Sequence, residues 1–239
     1  MEKSNKIKLF IALLYVIAVS LFVYLLFSKF TIQEITSYDF IKNNRNYFFE
    51  LKEANLFLLS FSFFIFCILW TLAAGFGSPI IIFAGFVFGK WLGTFLVLFG
   101  MTIGATGLYY IANFFLKDFI RQKFLSKFQI LEKKFKQSEF AYLLLYRFIG
   151  GIPFALSNVL PCIFNVKSYN FFWATLIGMA PQIFIVASIA NGFEKVIDNN
   201  FEAPNILDVI FEPGIYMPLI AFALLLIITF VIKKTFYKQ

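Results

Sequence analysis

The chain has no histidine. That excludes a Ser-His triad, imidazole acid–base chemistry and His-ligated metal sites. Its two cysteines, Cys67 and Cys162, both stand in apolar runs. There they read as small packing residues rather than a disulfide or a metal pair. Charge is scarce too: 14% of residues, against about 25% in an ordinary soluble domain. No Asp or Glu interrupts a long apolar run, so a carboxylate proton relay inside a membrane is not visible. No P-loop pattern occurs, so no nucleotide is implied and no other cofactor is expected. With neither a nucleophile–base pair nor a metal constellation in the apolar segments, the chain does not read as an enzyme.

What remains is hydrophobic: 61% of 239 residues, with a mean hydropathy of +0.82. This is the composition of an integral membrane protein. The net charge of +8 sits mostly in the tails and one loop. That fits orientation in a membrane and argues against nucleic-acid binding.

Charge-free stretches mark the membrane segments: Leu9–Ser28, Ala54–Gly89, Trp91–Leu116, Phe140–Val166 apart from Arg147, Ser168–Phe193 and Gly214–Ile232. A spanning helix needs about 20 apolar residues. The first stretch has a basic lead-in but a long apolar core with no small-residue cleavage pattern, and reads as a retained anchor. Ala54–Gly89 is broken by Gly75, Gly77 and Pro79. Residues 80–89 add only about 15 Å, so the segment reads as entering, turning and returning. Phe140–Val166 has the same character, with Gly150, Gly151, Pro153 and Pro161 as breakers.

Loop charges agree. Residues 117–139 carry seven basic and three acidic groups, and 191–213 carry one basic and five acidic groups. With both broken segments as re-entrant hairpins, four helices cross, at about 9–28, 91–116, 168–190 and 214–232. Both basic termini and the basic loop then fall on the cytoplasmic side. The predicted organisation is an anchor helix and outer loop over 1–53, a membrane domain over 54–195, and an acidic loop with a final helix over 196–239. The predicted fold class is all-α, multi-pass, with two opposed re-entrant hairpins. Residues 100–113 and 178–191 match at five of 14 positions without a gap. The helices holding them would cross in opposite directions, an inverted repeat.

Arg147 is the one charge in Phe140–Val166. Two roles are open to it. It could snorkel back to the headgroups, or it could serve a polar cavity, since Gly150, Gly151 and Pro153 place it near a hairpin tip. A guanidinium there suits a lipid phosphate. Ser157 and Asn158 offer polar groups beside it, either as ligands or as local caps. Gln182, after Pro181, lines the cavity or satisfies backbone freed by that proline. Lys90 and Lys167, which close the two hairpins, read as interfacial anchors. Gly85, Gly89 and Gly93, then Gly100 and Gly104, recur at a spacing of four. Such residues let helices approach closely, within the chain or across a homo-oligomer face. Residues 117–139 read as a basic amphipathic helix on the cytoplasmic face.

These residues carry a resemblance. Ser78-Pro79 through Gly85, Gly89, Gly93, Gly100 and Gly104-Ala105-Thr106 resembles the first signature of the VTT-domain superfamily. That group includes DedA-like and SNARE-associated Golgi proteins. Tyr146-Arg147, Pro153-Phe154, Asn158 and Gly178-Met179-Ala180-Pro181 resemble the second. The resemblance covers about residues 55–195. It implies two facing re-entrant hairpins, and movement of phospholipids or polyprenyl phosphates between leaflets. By resemblance Arg147 matches the functional hairpin arginine and Pro153 the proline after it. DedA proper has acidic residues around the first hairpin, whereas Ala54–Gly89 has none, which sets this chain nearer a branch without that pair. The expectation is a lipid transporter or scramblase-like protein of a bacterial plasma membrane. Arg147, Pro153, Asn158 and Gln182 would meet the substrate, and the partner would be a phosphate-bearing membrane lipid. A small-ion or small-solute transporter and a non-transporting scaffold for membrane assembly or trafficking are the alternatives.

Overall fold

The computed structural model describes residues 13–21, 24–25, 38–115, 117, 138–149, 153–199 and 211–236. Gly150, Gly151 and nearly all of the expected amphipathic segment 117–139 lie outside them. The chain divides into two compact units, residues 1–50 and 51–239. In the first, residues 13–21 and 24–25 are helical. The candidate site lies wholly in the second.

Among the described residues every regular element is helical: α1 Tyr38–Leu72, α2 Gly77–Phe115, α3 Glu139–Ile149, α4 Phe154–Val159, a 3₁₀ turn Leu160–Phe164, α5 Ser168–Asn199 and α6 Pro213–Phe236. Three stretches of the described residues are long and apolar enough to cross a membrane: Arg45–Leu72, Gly77–Phe115 and Ser168–Ile197. Phe154–Phe164 and Pro213–Ile228 are shorter apolar helices. The protein is therefore an all-helical membrane protein. Arg45–Leu72 reaches spanning length although the charge pattern makes it one arm of a hairpin.

Two of these helices are broken. α1 breaks at Asn55, whose Oδ1 accepts the Leu58 N–H at 2.9 Å and so starts a new helix as an N-cap. α2 breaks at Gly89, with φ +78° and ψ 175°. That region of backbone space is essentially open to glycine alone. The chain reverses there. Gly93 packs on the backbone of Ala84, and Gly77 faces Met101. In a straight helix Gly77 and Met101 would stand about 36 Å apart. So the first arm of α2 (77–88) folds back on the second (90–115). The sequence pattern reads Gly89 as a packing glycine, and the structure makes it the turn.

The other turn, between α1 and α2, is a Schellman motif. Ala74, with φ +60°, donates its N–H to Thr71 C=O at 3.0 Å, and Gly75 donates to Trp70 C=O at 2.9 Å. Trp70 closes over the turn, its indole N–H donating to Phe76 C=O at 2.7 Å. A Cβ on Gly75 would run into that indole. Gly77 and Pro79, read from sequence as breakers, lie instead in the first turn of α2. A proline is tolerated there because its missing N–H would be unpaired anyway. The break falls just before them, at residues 73–76.

Lys52 closes the base of this first hairpin by donating Nζ to Val87 C=O at 2.9 Å, a carbonyl orphaned by the Gly89 break. Phe63 packs between the arms, 5.3 Å from Phe83 and 5.1 Å from Phe88. The second hairpin runs α3, Pro153, α4, then the 3₁₀ turn in which Pro161 takes an early position. It ends at Asn165, φ +50°. Its base is closed by Glu139, whose Oε2 accepts Lys167 N–H at 3.1 Å and Asn170 Nδ2 at 2.8 Å. α5 is the hub of the unit, packing against α2, α3 and α6. Gly100 and Gly104 bring α2 onto α1, and Gly85 brings it onto Ala187 of α5. The glycine spacing is thus used within the chain.

Candidate functional site: a buried guanidinium beside a cavity

Arg147 lies near the end of α3 and is only 5% exposed. Its side chain does not reach outward. Nε donates to Thr175 Oγ1 at 3.0 Å, Nη1 to Ser157 Oγ at 2.7 Å, and Nη2 to Asn158 Oδ1 at 2.7 Å. The guanidinium carbon stands 4.9 Å from the centre of the Phe171 ring and 5.9 Å from that of Tyr146. Phe171 stacks in turn on Tyr109 at 4.6 Å, and the Tyr109 hydroxyl donates to Val166 C=O at 2.7 Å. Both rings are fully buried.

Each support has a local cause. Pro153 starts α4 at its N-cap position, with φ −49° and ψ 132°. One turn later Ser157 and Asn158 fall on neighbouring sites of the helix. The Ser157 hydroxyl donates to Phe154 C=O at 2.7 Å, which frees its oxygen to accept from Arg147. Gly178 of α5 makes room for the arginine itself, since a Cβ there would stand 2.6 Å from Arg147 Cβ. The three acceptors are neutral. They fix the geometry of the cation without cancelling its charge.

The guanidinium borders a cavity of about 270 Å³. Gly77, Ser78 and Ile81 line it from the start of α2, and Met101 from that helix's second arm. Tyr146 and Arg147 come from α3, Phe154 and Ser157 from α4. Met179, Gln182, Ile183 and Val186 come from α5, and Phe222 from α6. The Tyr146 hydroxyl is buried and has no hydrogen-bond partner among the described residues. Gln182 donates Nε2 to Phe148 C=O at 2.8 Å, across to α3. It does not serve the backbone freed by Pro181 in its own helix.

Of the residues singled out from sequence, Arg147 and Gln182 both line this cavity. Pro153 and Asn158 are not among the lining residues: the first begins α4, and the second is fully buried behind the arginine. Thr175, Phe171 and Phe222 carry no sequence signal for the site, and Tyr146 is marked only by its place in the second signature. They are ordinary residues of apolar helices, brought in by packing alone.

With this geometry, similarity to other proteins is informative. The VTT domain profile matches residues 76–191. An uncharacterized protein of Bacillus subtilis, YqeD, is 31% identical over 151 residues, covering 60% of this chain and 70% of its own. The chain belongs to the VTT-domain family. A Caenorhabditis elegans protein named Transmembrane protein 41 homolog is 27% identical over 118 residues, 48% of each chain, so this chain spans about half of that relative's length. No solved structure matches. The protein is thus a multi-pass VTT membrane protein. Every lining residue except Phe222 falls inside the matched domain.

Proposed function

We propose that this VTT protein moves a phosphate-bearing lipid between membrane leaflets, passing the headgroup through the cavity while the acyl chains stay in the bilayer. One observation carries the reading: the Arg147 guanidinium is buried, borders the cavity and, among the described residues, is held by neutral acceptors only. A buried charge is costly unless it is paired. An arriving anion supplies the missing partner, and phosphate oxygens match the planar fork of arginine.

The proposed frame is two re-entrant hairpins, facing each other as an inverted repeat. Matching contacts support it. Gly100 faces Cys67 Cβ and Phe64 C=O, and Gly178 faces Arg147 Cβ and Leu144 C=O. Four residues on, Gly104 approaches Ile68 C=O, and Gln182 donates to Phe148 C=O. Nine residues past each of the first two glycines, Tyr109 and Ala187 meet the short arm of the other hairpin. Cys162 Sγ donates to Tyr109 C=O at 3.7 Å, and Gly85 packs on Ala187. Such repeats place substrate sites at their interface. The basic termini and the basic 117–139 segment favour cytoplasmic ends in a bacterial plasma membrane.

The test is reconstitution into liposomes holding a headgroup-labelled phospholipid, read with a membrane-impermeant quencher. Wild-type protein should make the inner-leaflet label reachable, and Arg147→Ala should reduce this to the protein-free rate. If wild type leaves the inner label protected, the scrambling reading fails, and a solute carrier or a scaffold replaces it.

A further inference from the structure

The polar groups around the cavity are unequal in kind. A guanidinium has five N–H groups, and three of those on Arg147 are engaged, leaving one on each terminal nitrogen. The Tyr146 hydroxyl has no partner among the described residues. Ser78 adds a hydroxyl from the first turn of α2. Gln182 has spent one amide hydrogen on Phe148 C=O and keeps the other. The acceptors are all neutral: Gln182 Oε1 and the Ser78 and Tyr146 hydroxyl oxygens can accept, Ser157 Oγ already accepts from Arg147, and none of the described lining residues is a carboxylate.

We infer that the cavity selects lipids whose headgroup carries one phosphate, a net single negative charge and no ammonium group. The inference rests on the lipid-transport reading and narrows its substrate. An anionic phosphodiester such as that of phosphatidylglycerol brings one charge to one uncancelled cation. Its hydroxyls use the remaining amide and phenol. A zwitterionic headgroup brings the same phosphate plus an ammonium, which leaves water with no carboxylate to receive it. An unpaired buried charge is heavily penalised.

The decisive measurement uses wild-type protein. Vesicles of one bulk composition carry a trace of phosphatidylglycerol or phosphatidylethanolamine, labelled on an acyl chain so that the headgroup stays native. Phosphatidylglycerol should cross at least about tenfold faster, the scale expected for an unpaired buried polar group. Ser78→Asp brings a carboxylate to the same cavity at a helix N-terminus, where an acid is tolerated, and should narrow the ratio. Equal wild-type rates overturn the inference and leave lipid transport standing. An unchanged ratio in Ser78→Asp puts the selection outside the cavity and overturns it too. If no lipid moves while labelled inorganic phosphate enters the vesicles, the bound anion is soluble, and the transport reading itself falls.

Discussion

Gly100 and Gly178 hold matching places in the two long helices, and different side chains lie across them. Over Gly100 stands Cys67, fully buried; over Gly178 stands Arg147, nearly as buried. Three residues before each glycine, the first helix has Val97 and the second has Thr175. Thr175 accepts from Arg147, whereas Val97 offers no polar group. At these positions the first hairpin is thus apolar where the second is polar. The shared framework lies in glycine contacts and in charged side chains that close each hairpin's base on backbone groups. The specialised chemistry lies in three or four side chains added to one half. A cavity bordered by both hairpins then has one charged wall.

Moving the charge tests that comparison most severely. Cys67→Arg puts a guanidinium where the described residues offer no matching acceptors, beside Thr71, whose buried hydroxyl has no partner among them. The cost should be about 3–5 kcal/mol, the scale of an uncompensated buried charge. Yield of monodisperse protein and thermal unfolding in detergent measure it. A variant as stable as wild type would mean that the first hairpin can also hold a cation, and that the halves differ less than their side chains suggest.

That asymmetry was partly legible in the sequence. A single charge in a 27-residue, mostly apolar stretch stands out because membrane interiors penalise it, so Arg147 is found at once. Ser157 and Asn158 follow because they share its local segment. Thr175 is 28 residues further on, in a helix of similar polarity, and only tertiary packing brings it back. The turn between α1 and α2 was legible from its Gly and Pro cluster, but not which residue does the turning. Gly85, Gly89 and Gly93 look alike as a spaced series, yet only Gly89 takes a positive φ. The first tip turns on an alanine, which no turn rule singles out.

A milder pair of changes sharpens the contrast between framework and chemistry. Gly178→Ala would press on Arg147 Cβ, 2.6 Å from the new methyl, and Gly100→Ala would press on Cys67 Cβ at 2.7 Å. Overpacking of this kind costs about 1–3 kcal/mol, and the two should lose similar stability. Their effect on lipid movement should differ. Gly178→Ala shifts the guanidinium and should cut the rate several-fold, while Gly100→Ala should leave it within about twofold of wild type, since a misplaced polar group costs more than a repacked apolar one. Thermal unfolding and liposome flux on the same preparations separate the two effects. Equal losses of rate would mean that the slot over Gly100 matters to transport as much as its charged counterpart.

The smallest expected effect concerns the tip of the first hairpin. Ala74 takes the left-handed position that a Schellman motif usually gives to glycine, at about 1–2 kcal/mol for an L-residue. Ala74→Gly removes that cost but adds chain entropy to the unfolded state, which takes back about 0.5–1 kcal/mol. A net gain of about 0.5–1 kcal/mol should remain, seen as a modest rise in the unfolding temperature. Gly75→Ala, one residue on, should do the reverse, because its methyl would run into the Trp70 indole. If the tip serves only as a rigid connection, Ala74→Gly leaves lipid flux unchanged. If flux rises with the loosened turn, the strain at Ala74 restrains the Gly77–Ser78 edge of the cavity, and the apolar hairpin takes part in transport as well as framing it.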